Sequence, residues 1–341
     1  MARRYGYMDW MRVFAIFTVV GVHVVSKIIN NTTTGDWEWQ YANAIDSALR
    51  WCVPIFFMLS GALLLTRDSN ERIGEFLRKR LGKVLLPLLF WSAVYMAYNI
   101  FQLGEEYTIG QMAGLFLSDD IYFHLWFLYI ITGLYLMAPF LRLLVKHMDK
   151  TMFHYFLGFW FLFSAAAPIF TRATDYEIAF AGQMFAPYIG YFVLGAYLVM
   201  FPIPKRWLPT LGILAIIGYA VTVWGTIVAN TGLEAGDFDA FYYEHYYPHA
   251  IFISLFVFVA FQQLGKNLKS TPMITRISTA TFGIYIIHPL VQTYLNRLFD
   301  FNETTINVWV GVPLSWIVIF IVSYAVIRVM QKTPFVRRLV P

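Results

Sequence analysis

The stretch Asp9-Trp-Met-Arg12-Val-Phe-Ala-Ile-Phe-Thr-Val-Val-Gly-Val-His23 is a hydrophobic run with an arginine near its start and a histidine eleven residues later. In an α-helix, eleven steps of about 100° make roughly three turns, and they rise about 16 Å. Arg12 and His23 are therefore predicted to lie on one face of a helix. Asp9 precedes Arg12 by three residues, so the two side chains can pair on that face.

Ionisable side chains inside an apolar span are costly to bury, and they indicate function by default. One interpretation of this stretch is an arginine at the membrane boundary and a single satisfied histidine in the core. The alignment of Asp9, Arg12 and His23 on one face favours the other interpretation, in which the three side chains serve a reaction.

The composition of the 341-residue chain is typical of a polytopic membrane protein. Hydrophobic residues make up 59% of the chain and charged residues only 13%, whereas soluble domains carry about 25% charged residues. The net charge of +5 would suit a nucleic-acid partner. However, the basic residues flank apolar spans, as topology signals do, so no nucleic acid is expected. The single cysteine, Cys52, excludes an internal disulfide and a cysteine-based metal cluster.

Ten apolar segments are each near the length that a helix needs to cross about 30 Å of hydrocarbon. They lie at approximately 10–29, 44–66, 84–103, 124–145, 152–170, 182–201, 208–229, 248–264, 279–297 and 308–330. The first lacks a small-residue cleavage pattern and is expected to remain as a helix rather than to be removed as a signal peptide. The predicted fold class is all-α: a polytopic integral membrane protein with about ten transmembrane helices, in one domain over residues 1–341.

The connections between these segments alternate in charge. One set, from Arg3 and Arg4 at the beginning of the chain to Arg337 and Arg338 near its end, contains most of the 25 lysines and arginines. The opposite set contains most of the acidic residues. The positive-inside rule therefore predicts that both termini are cytoplasmic, with Arg12 near the cytoplasmic end of the first span and His23 in its outer half.

The second apolar segment contains further polar groups. Arg50, four residues after Asp46, lies within the span, where a charge normally faces protein or water. Pro54 is expected to bend the helix. Ser60 and Gly61 give a small, polar face that another helix can approach closely, which is more often a packing device than a site.

The densest basic stretch is Phe76-Leu-Arg78-Lys79-Arg80-Leu-Gly-Lys83. It can be a topogenic anchor that contacts anionic lipid headgroups. It can equally be a cytoplasmic cradle for the phosphates of a nucleotide-bearing donor, because arginine and lysine suit phosphate oxygens. The spacing of Arg80 and Lys83 lets both side chains point the same way, and it does not decide between these two interpretations.

Two later segments carry histidines and aromatic residues. His124-Leu-Trp126-Phe-Leu-Tyr129 opens the fourth span, where an aromatic cluster can form an interfacial belt or the wall of a cavity. In the ninth span, Tyr285 and His288 are three residues apart and share a face. The remaining histidines are expected to lie singly at the membrane interface: His147, His154, His245 and His249.

Together these stretches resemble the integral-membrane acyltransferase 3 family, which O-acylates cell-surface glycans and lipids. The spacing of Arg12 and His23 matches the family's first-helix signature, and Val-Pro-Ile-Phe-Phe-Met-Leu-Ser60-Gly61 is similar to its second-helix motif. Arg80-Leu-Gly-Lys83, the stretch at Trp126 and Phe-Gly-Ile-Tyr285-Ile-Ile-His288-Pro289 are similar to later motifs. The overall likeness is to bacterial polysaccharide or enterobacterial-common-antigen O-acetyltransferases. Lys83 departs from the family pattern by replacing a second arginine, and no appended periplasmic hydrolase-like domain is expected.

The resemblance implies an acyl-CoA donor, usually acetyl-CoA, a sugar hydroxyl as acceptor, membrane lipids as surroundings, and no metal. It also implies a multi-pass protein of the cytoplasmic (inner) membrane. His23 would be a general base or a transient acyl carrier, with Arg12 and Asp9 beside it in the catalytic set. Arg78, Arg80, Lys83 and Ser60 would bind the donor. Arg50, Trp126, Tyr285 and His288 would bind the substrates. Ser60, Trp126, Tyr285 and His288 would line the cavity or stabilise the developing oxyanion.

Two other functions stay open from the sequence. A transporter or flippase for a glycan or lipid-linked intermediate would use His23, Arg12, Arg50 and His288 to line a polar path. A membrane sensor or scaffold would keep the motifs without turnover. The outer connections at 30–43, 104–123 and 230–247 are rich in Trp, Tyr and acidic residues and are expected to select the acceptor.

Overall fold

The structure is a computed structural model of the chain, and it describes residues 6–67, 71–174, 176, 187–304 and 306–341. Over these residues it is helical, with no β-strand. The α-helices are α1 (Gly6–Asn31), α2 (Trp37–Leu49), α3 (Cys52–Leu65), α4 (Ile73–Leu81), α5 (Leu85–Leu103), α6 (Ile109–Ser118), α7 (Trp126–His147), α8 (Lys150–Trp160), α9 (Ala167–Thr174), α10 (Pro187–Met200), α11 (Leu208–Asn230), α12 (Pro248–Leu264), α13 (Pro272–Phe299) and α14 (Val308–Lys332). A π-helical segment, Phe161–Ala166, joins α8 to α9.

Eight helices or consecutive helix pairs of the described residues are long and apolar enough to cross a membrane. They are Gly6–Asn31, Trp37–Leu65, Ile73–Leu103, Trp126–His147, Lys150–Thr174, Lys205–Asn230, Phe241–Leu264 and Val308–Lys332. The other two predicted segments are also helical, as α10 and α13, although residues 182–186 at the start of the sixth lie outside the described residues, as do Arg3 and Arg4. The prediction of an all-α, polytopic membrane protein is confirmed.

The second predicted segment is wrong at its beginning. The structure continues α1 to Asn31 and starts α2 at Trp37, so the predicted outer connection at 30–43 is mostly helix. The pair α2–α3 is interrupted at Arg50 and Trp51. Pro54 explains the position of this break, because it lacks an N–H for the carbonyl four residues earlier, which belongs to Arg50.

The closest helix crossing lies between α3 and α10. A Cβ atom added to Gly61 would overlap the backbone carbonyl of Phe192, and one added to Gly195 would overlap the carbonyl of Met58. The two glycines thus open one crossing from both sides, as small residues do where membrane helices approach closely. This crossing fixes α3, and with it Ser60.

Helix α1 lies at the centre of the bundle. It contacts α2, α3, α12, α13 and α14, and Met11, Ile16 and Val20 on it are fully buried. Asp9 and Thr18 of α1 are buried as well, so they face protein rather than lipid, which is the condition under which charges persist inside a membrane bundle.

Candidate active site

Helices α1 and α13 pack together through their polar residues. At one end, the Ser278 hydroxyl donates a hydrogen bond of 2.9 Å to Oδ1 of Asp9, and Arg12 pairs with the same oxygen at 3.4 Å. Further along, the Gln292 amide donates to the backbone carbonyl of His23 at 3.3 Å. The α13 face that begins at Ser278 thus follows α1 from the Asp9–Arg12 pair to His23.

A cavity of about 550 Å³ opens at the Asp9–Arg12 end of this pair of helices. We call it the basic cavity. Its walls include six of the residues that the sequence singled out: Asp9, Arg12, Ser60, Arg80, Lys83 and Tyr285. These residues come from α1, α3, α13 and the α4–α5 region, so only the folded bundle assembles them.

Arg78 does not line the basic cavity, although it lies on the same short helix as Arg80. Helix α4 buries Phe76 on one face, and Arg78 is exposed. Arg80 is half-buried and its Nε atom has no hydrogen-bond partner. A buried donor left unsatisfied is costly, and here it lies at the wall of a cavity. Of the three predicted donor-binding cations, the structure thus places Arg80 and Lys83 in the walls of the basic cavity and Arg78 outside them.

Three histidines form a second group, the histidine cluster: His23, His124 and His288. The ring centroids of His23 and His288 are 4.9 Å apart, and those of His124 and His288 are 5.9 Å apart. His124 and His288 are fully buried, while His23 is partly accessible. Within the described residues, no group of three or more His, Cys, Asp or Glu side chains could hold a metal ion.

The hydrogen bonds of His288 fix its tautomer. Nδ1 lies 2.7 Å from the carbonyl of Tyr285 and 3.2 Å from that of Ile284. A carbonyl oxygen only accepts, so Nδ1 of neutral His288 carries the proton and Nε2 is left as an acceptor. That Nε2 atom is buried without a partner. Neutral His288 is therefore suited to accept a proton, and it cannot donate to an oxyanion as the sequence allowed.

His124 has the opposite arrangement. Its Nε2 donates to the carbonyl of Ile286 at 3.1 Å, and its Nδ1 is buried without a partner. The histidine cluster thus contains two buried acceptor nitrogens, one on α13 and one just before α7. Buried polar atoms are rarely left unpaired except where a ligand or function accounts for them.

Tyr285 and Phe127 separate the basic cavity from the histidine cluster. Both line the cavity, and their rings are 5.2 Å apart. On its other side, the Tyr285 ring lies 5.6 Å from that of His124 and 6.1 Å from that of His288. The Tyr285 hydroxyl donates to the backbone carbonyl of His124. Its proton is thus already engaged, so Tyr285 is a wall between the two groups rather than a free donor.

Arg50 lies at the break between α2 and α3, and its side chain is largely buried. Its guanidinium pairs with the buried carboxylate of Asp46, lies 3.8 Å from the centroid of the Tyr243 ring, and leaves Nε buried without a partner. A buried pair of this kind holds the arginine in one orientation. Arg50 therefore presents one unused N–H donor on this side of the bundle.

Trp126 joins this group through aromatic contacts. Its ring lies 5.4 Å from that of Tyr188 and 6.0 Å from that of His245. The Tyr191 hydroxyl donates to the backbone carbonyl of His245, so His245 packs among aromatic residues rather than lying singly at the interface. His249 is buried, and its Nε2 lies 2.9 Å from the carbonyl of Tyr242. His245 lies between the short 3-10 helix Phe241–Tyr243 and α12, and His249 lies in the first turn of α12.

Sequence reasoning missed His124, His245 and Tyr135 as site residues. His124 precedes the fourth span and carries no helical spacing to another polar residue. Tyr135 lines the basic cavity, as does Ser60. Helical spacing did not point to Tyr135 either. It lies nine residues after Trp126 on α7, which is about two and a half turns, so the two side chains lie on different faces of the helix.

Residues 5–328 of the chain match the model of a protein family that is described as an acyltransferase domain. No curated protein and no solved structure matches the chain. The family match covers every helix that contributes to the basic cavity and the histidine cluster.

Proposed function

The chain belongs to the acyltransferase 3 family, a family of membrane acyltransferases, and we propose that it moves an acetyl group from acetyl-CoA to a hydroxyl of a cell-surface glycan or lipid-linked sugar. The observation that carries this proposal is the adjacency of two sites. A cavity with Arg12, Arg80 and Lys83 in its walls ends at Tyr285, and Tyr285 contacts His124 and His288 on its other side. A long, phosphate-bearing donor requires such an arrangement.

The donor would enter from the cytoplasm with its phosphates in the basic cavity. The unpartnered Nε of Arg80 supports this role, since guanidinium groups donate well to phosphate oxygens. Arg12 is held by Asp9, which Ser278 fixes in turn. Lys83 contributes a point charge rather than a bidentate fork. Arg78 is left out of the donor site, because it is exposed outside the cavity.

The pantetheine arm would carry the thioester from the basic cavity towards His23. On α1, Arg12 and His23 are separated by about 16 Å along the helix axis. The arm must pass Tyr285 and Phe127, which are the inner walls of the cavity. We therefore expect these two rings to move apart when the donor binds, as side chains that close an active site commonly do.

The histidine cluster would then serve as the base. The acceptor hydroxyl gives its proton to His23, and its oxygen attacks the thioester carbonyl carbon. The new C–O bond forms, the C–S bond breaks, and the coenzyme A sulfur leaves and takes up the proton. His288, with Nε2 free to accept, can receive the proton from His23 in between. A transient acyl group on His23 would use the same position, with the sugar attacking in a second step.

Arg50 is our candidate for stabilising the oxyanion. Its two terminal nitrogens are engaged by Asp46 and the Tyr243 carbonyl, whereas Nε–H is buried and unused. Fixed donors of this type contribute most when they are oriented before the reaction. Trp126 and His245 lie on the same side and would contact the sugar ring, since aromatic faces suit the apolar faces of sugars.

Purified protein in nanodiscs, supplied with labelled acetyl-CoA and a panel of surface-glycan acceptors, tests the proposal. We expect label transfer by the wild-type protein and none by His23→Ala, with both proteins equally stable to heating. Transfer that persists in His23→Ala would contradict the role of His23. Neither consumption nor binding of acetyl-CoA by the wild-type protein would contradict the proposed donor.

A further inference from the structure

A second cavity adjoins the basic cavity. It has a volume of about 540 Å³, and we call it the side cavity. Lys83 and Thr279 line both cavities, and the side cavity adds Gly82, Gln331, Arg337 and Arg338. The described residues that line it include three cations and no acidic side chain. A molecule that occupies the basic cavity can therefore extend into a second compartment whose charged side chains are all cations.

The two arginines of the side cavity belong to a segment that is tied to the bundle. The Trp91 indole of α5 donates a hydrogen bond of 3.0 Å to the carbonyl of Leu339, and the Gln331 amide donates to the carbonyl of Val340 at 3.2 Å. Both Leu339 and Val340 are buried. A chain segment loses conformational entropy when it is fixed in this way. The contacts thus hold Arg337 and Arg338 at the mouth of the side cavity.

The charge of the side cavity fits a phosphate monoester better than a diester. A monoester carries a charge of about −1.5 to −2 near neutral pH and three acceptor oxygens. Three cations from two parts of the chain, Lys83 and the consecutive Arg337 and Arg338, can surround such a group. Coenzyme A has one phosphate monoester, on the ribose 3′ position, and it is separate from the diphosphate that leads to the pantetheine arm.

From the two adjoining cavities we infer that the side cavity binds the ribose 3′-phosphate of the donor while the basic cavity receives its diphosphate. This inference rests on the proposed function, because it takes coenzyme A as the donor. Arg337 and Arg338 would then set the preference for 3′-phosphorylated coenzyme A. A lipid headgroup with a phosphate monoester offers the same chemistry, and the experiment separates the two sources.

The test compares acetyl-CoA with acetyl-3′-dephospho-CoA as donors for the wild-type protein and for a variant with both Arg337→Gln and Arg338→Gln. For the wild-type protein, we expect the KM for acetyl-3′-dephospho-CoA to be roughly 10- to 100-fold higher than the KM for acetyl-CoA, because charge-assisted hydrogen bonds to the 3′-phosphate are lost. In the double variant, the KM for acetyl-CoA should rise to a similar value, and the preference should disappear. The matched control is Arg276→Gln. Arg276 is exposed, lies three residues before Thr279 on α13, and lines neither cavity.

A binding measurement separates failure of this inference from failure of the proposed function. Adenosine 3′,5′-bisphosphate should bind the wild-type protein more tightly than adenosine 5′-monophosphate, and the double variant should not discriminate between them. If no acetyl transfer occurs but this pattern holds, the side-cavity inference stands and the proposed reaction fails. Retained discrimination in the double variant overturns the inference. An effect of added phosphatidic acid on the wild-type protein that the double variant loses, together with the same nucleotide preference in both proteins, would assign the cavity to lipid and overturn the inference as well.

Discussion

Replacing Arg80 should weaken donor binding far more than replacing Arg78, although the two arginines are two residues apart on α4. Arg80 lines the basic cavity with its Nε unpartnered, whereas Arg78 is exposed outside the cavity. A hydrogen bond to a charged group contributes about 1.5–3 kcal/mol, which corresponds to roughly a 10- to 150-fold change in the dissociation constant. Exposed substitutions usually change the free energy by less than about 0.5 kcal/mol, or roughly twofold in binding.

The assay is calorimetric titration of coenzyme A into purified wild-type, Arg80→Ala and Arg78→Ala proteins at one fixed salt concentration. Arg80→Lys adds a graded test, because lysine keeps the charge but loses the planar fork and should recover part of the affinity. Melting temperatures of all four proteins show whether the fold is retained. Equal effects of Arg80→Ala and Arg78→Ala would refute the assignment of the phosphates to the basic cavity and favour a lipid anchor at α4.

Three further predictions follow from particular side chains. His288→Asn keeps a donor for the carbonyls near Nδ1 but removes the Nε2 acceptor, so kcat should fall by roughly 10²- to 10⁴-fold with an unchanged KM for acetyl-CoA; a change confined to KM would contradict this role. Gly61→Ala should lower the melting temperature sharply because its Cβ meets the Phe192 carbonyl, whereas Gly74→Ala, in open space, should not; equal stability of the two variants would contradict the α3–α10 crossing. Burial, and then the neighbouring carboxylate of Asp120, raise the pKa of Asp119 from 3.8 to about 6. The protonated form therefore stabilises the fold fully below about pH 3.8, and this stability is lost as the pH rises through 6. Asp119→Asn should therefore raise the melting temperature at neutral pH and lose this advantage in acid; a gain independent of pH would argue against the titration.

The sequence was sufficient to predict the long apolar helices, because each of these segments is long enough to span the membrane and carries its own hydrophobic signal. It was also sufficient to bring Asp9 and Arg12 together, since both lie on one helix with a fixed spacing. It did not predict the short helices α4 and α6. The sequence did not predict that α2 begins at Trp37, and the reason is physical. The residues of α2 before the break are less apolar than those of α3, so a hydropathy pattern alone assigns them to a connection.

The contacts between helices could not be predicted in the same way. His124 and His288 are separated by 164 positions in the sequence, and only the contacts of the segment before α7 with α13 make them neighbours. The same holds for Tyr285, whose place between the basic cavity and the histidine cluster depends on Phe127 from another helix. Arg78 and Arg80 show the converse case. Their spacing gave no reason to separate them, and the burial of Phe76 decided which one faces the cavity.

We propose that the sulfur of coenzyme A reaches His23 from the basic cavity, past Tyr285 and Phe127. A cysteine introduced by His23→Cys tests this claim without knowledge of the acceptor, since the native Cys52 is buried. Coenzyme A activated as its 2-pyridyl disulfide would be attacked at its sulfur, which forms a protein–coenzyme A disulfide and releases pyridine-2-thione. Val22→Cys, on a different face of α1, is the control.

Intact-protein mass spectrometry measures the adduct. We expect the coenzyme A adduct to form rapidly with His23→Cys, to form more slowly when Arg80→Ala is added, and to stay at the wild-type background with Val22→Cys. An adduct that forms equally with Val22→Cys, or no adduct with His23→Cys in a protein that still binds coenzyme A, would contradict the path from the basic cavity to His23.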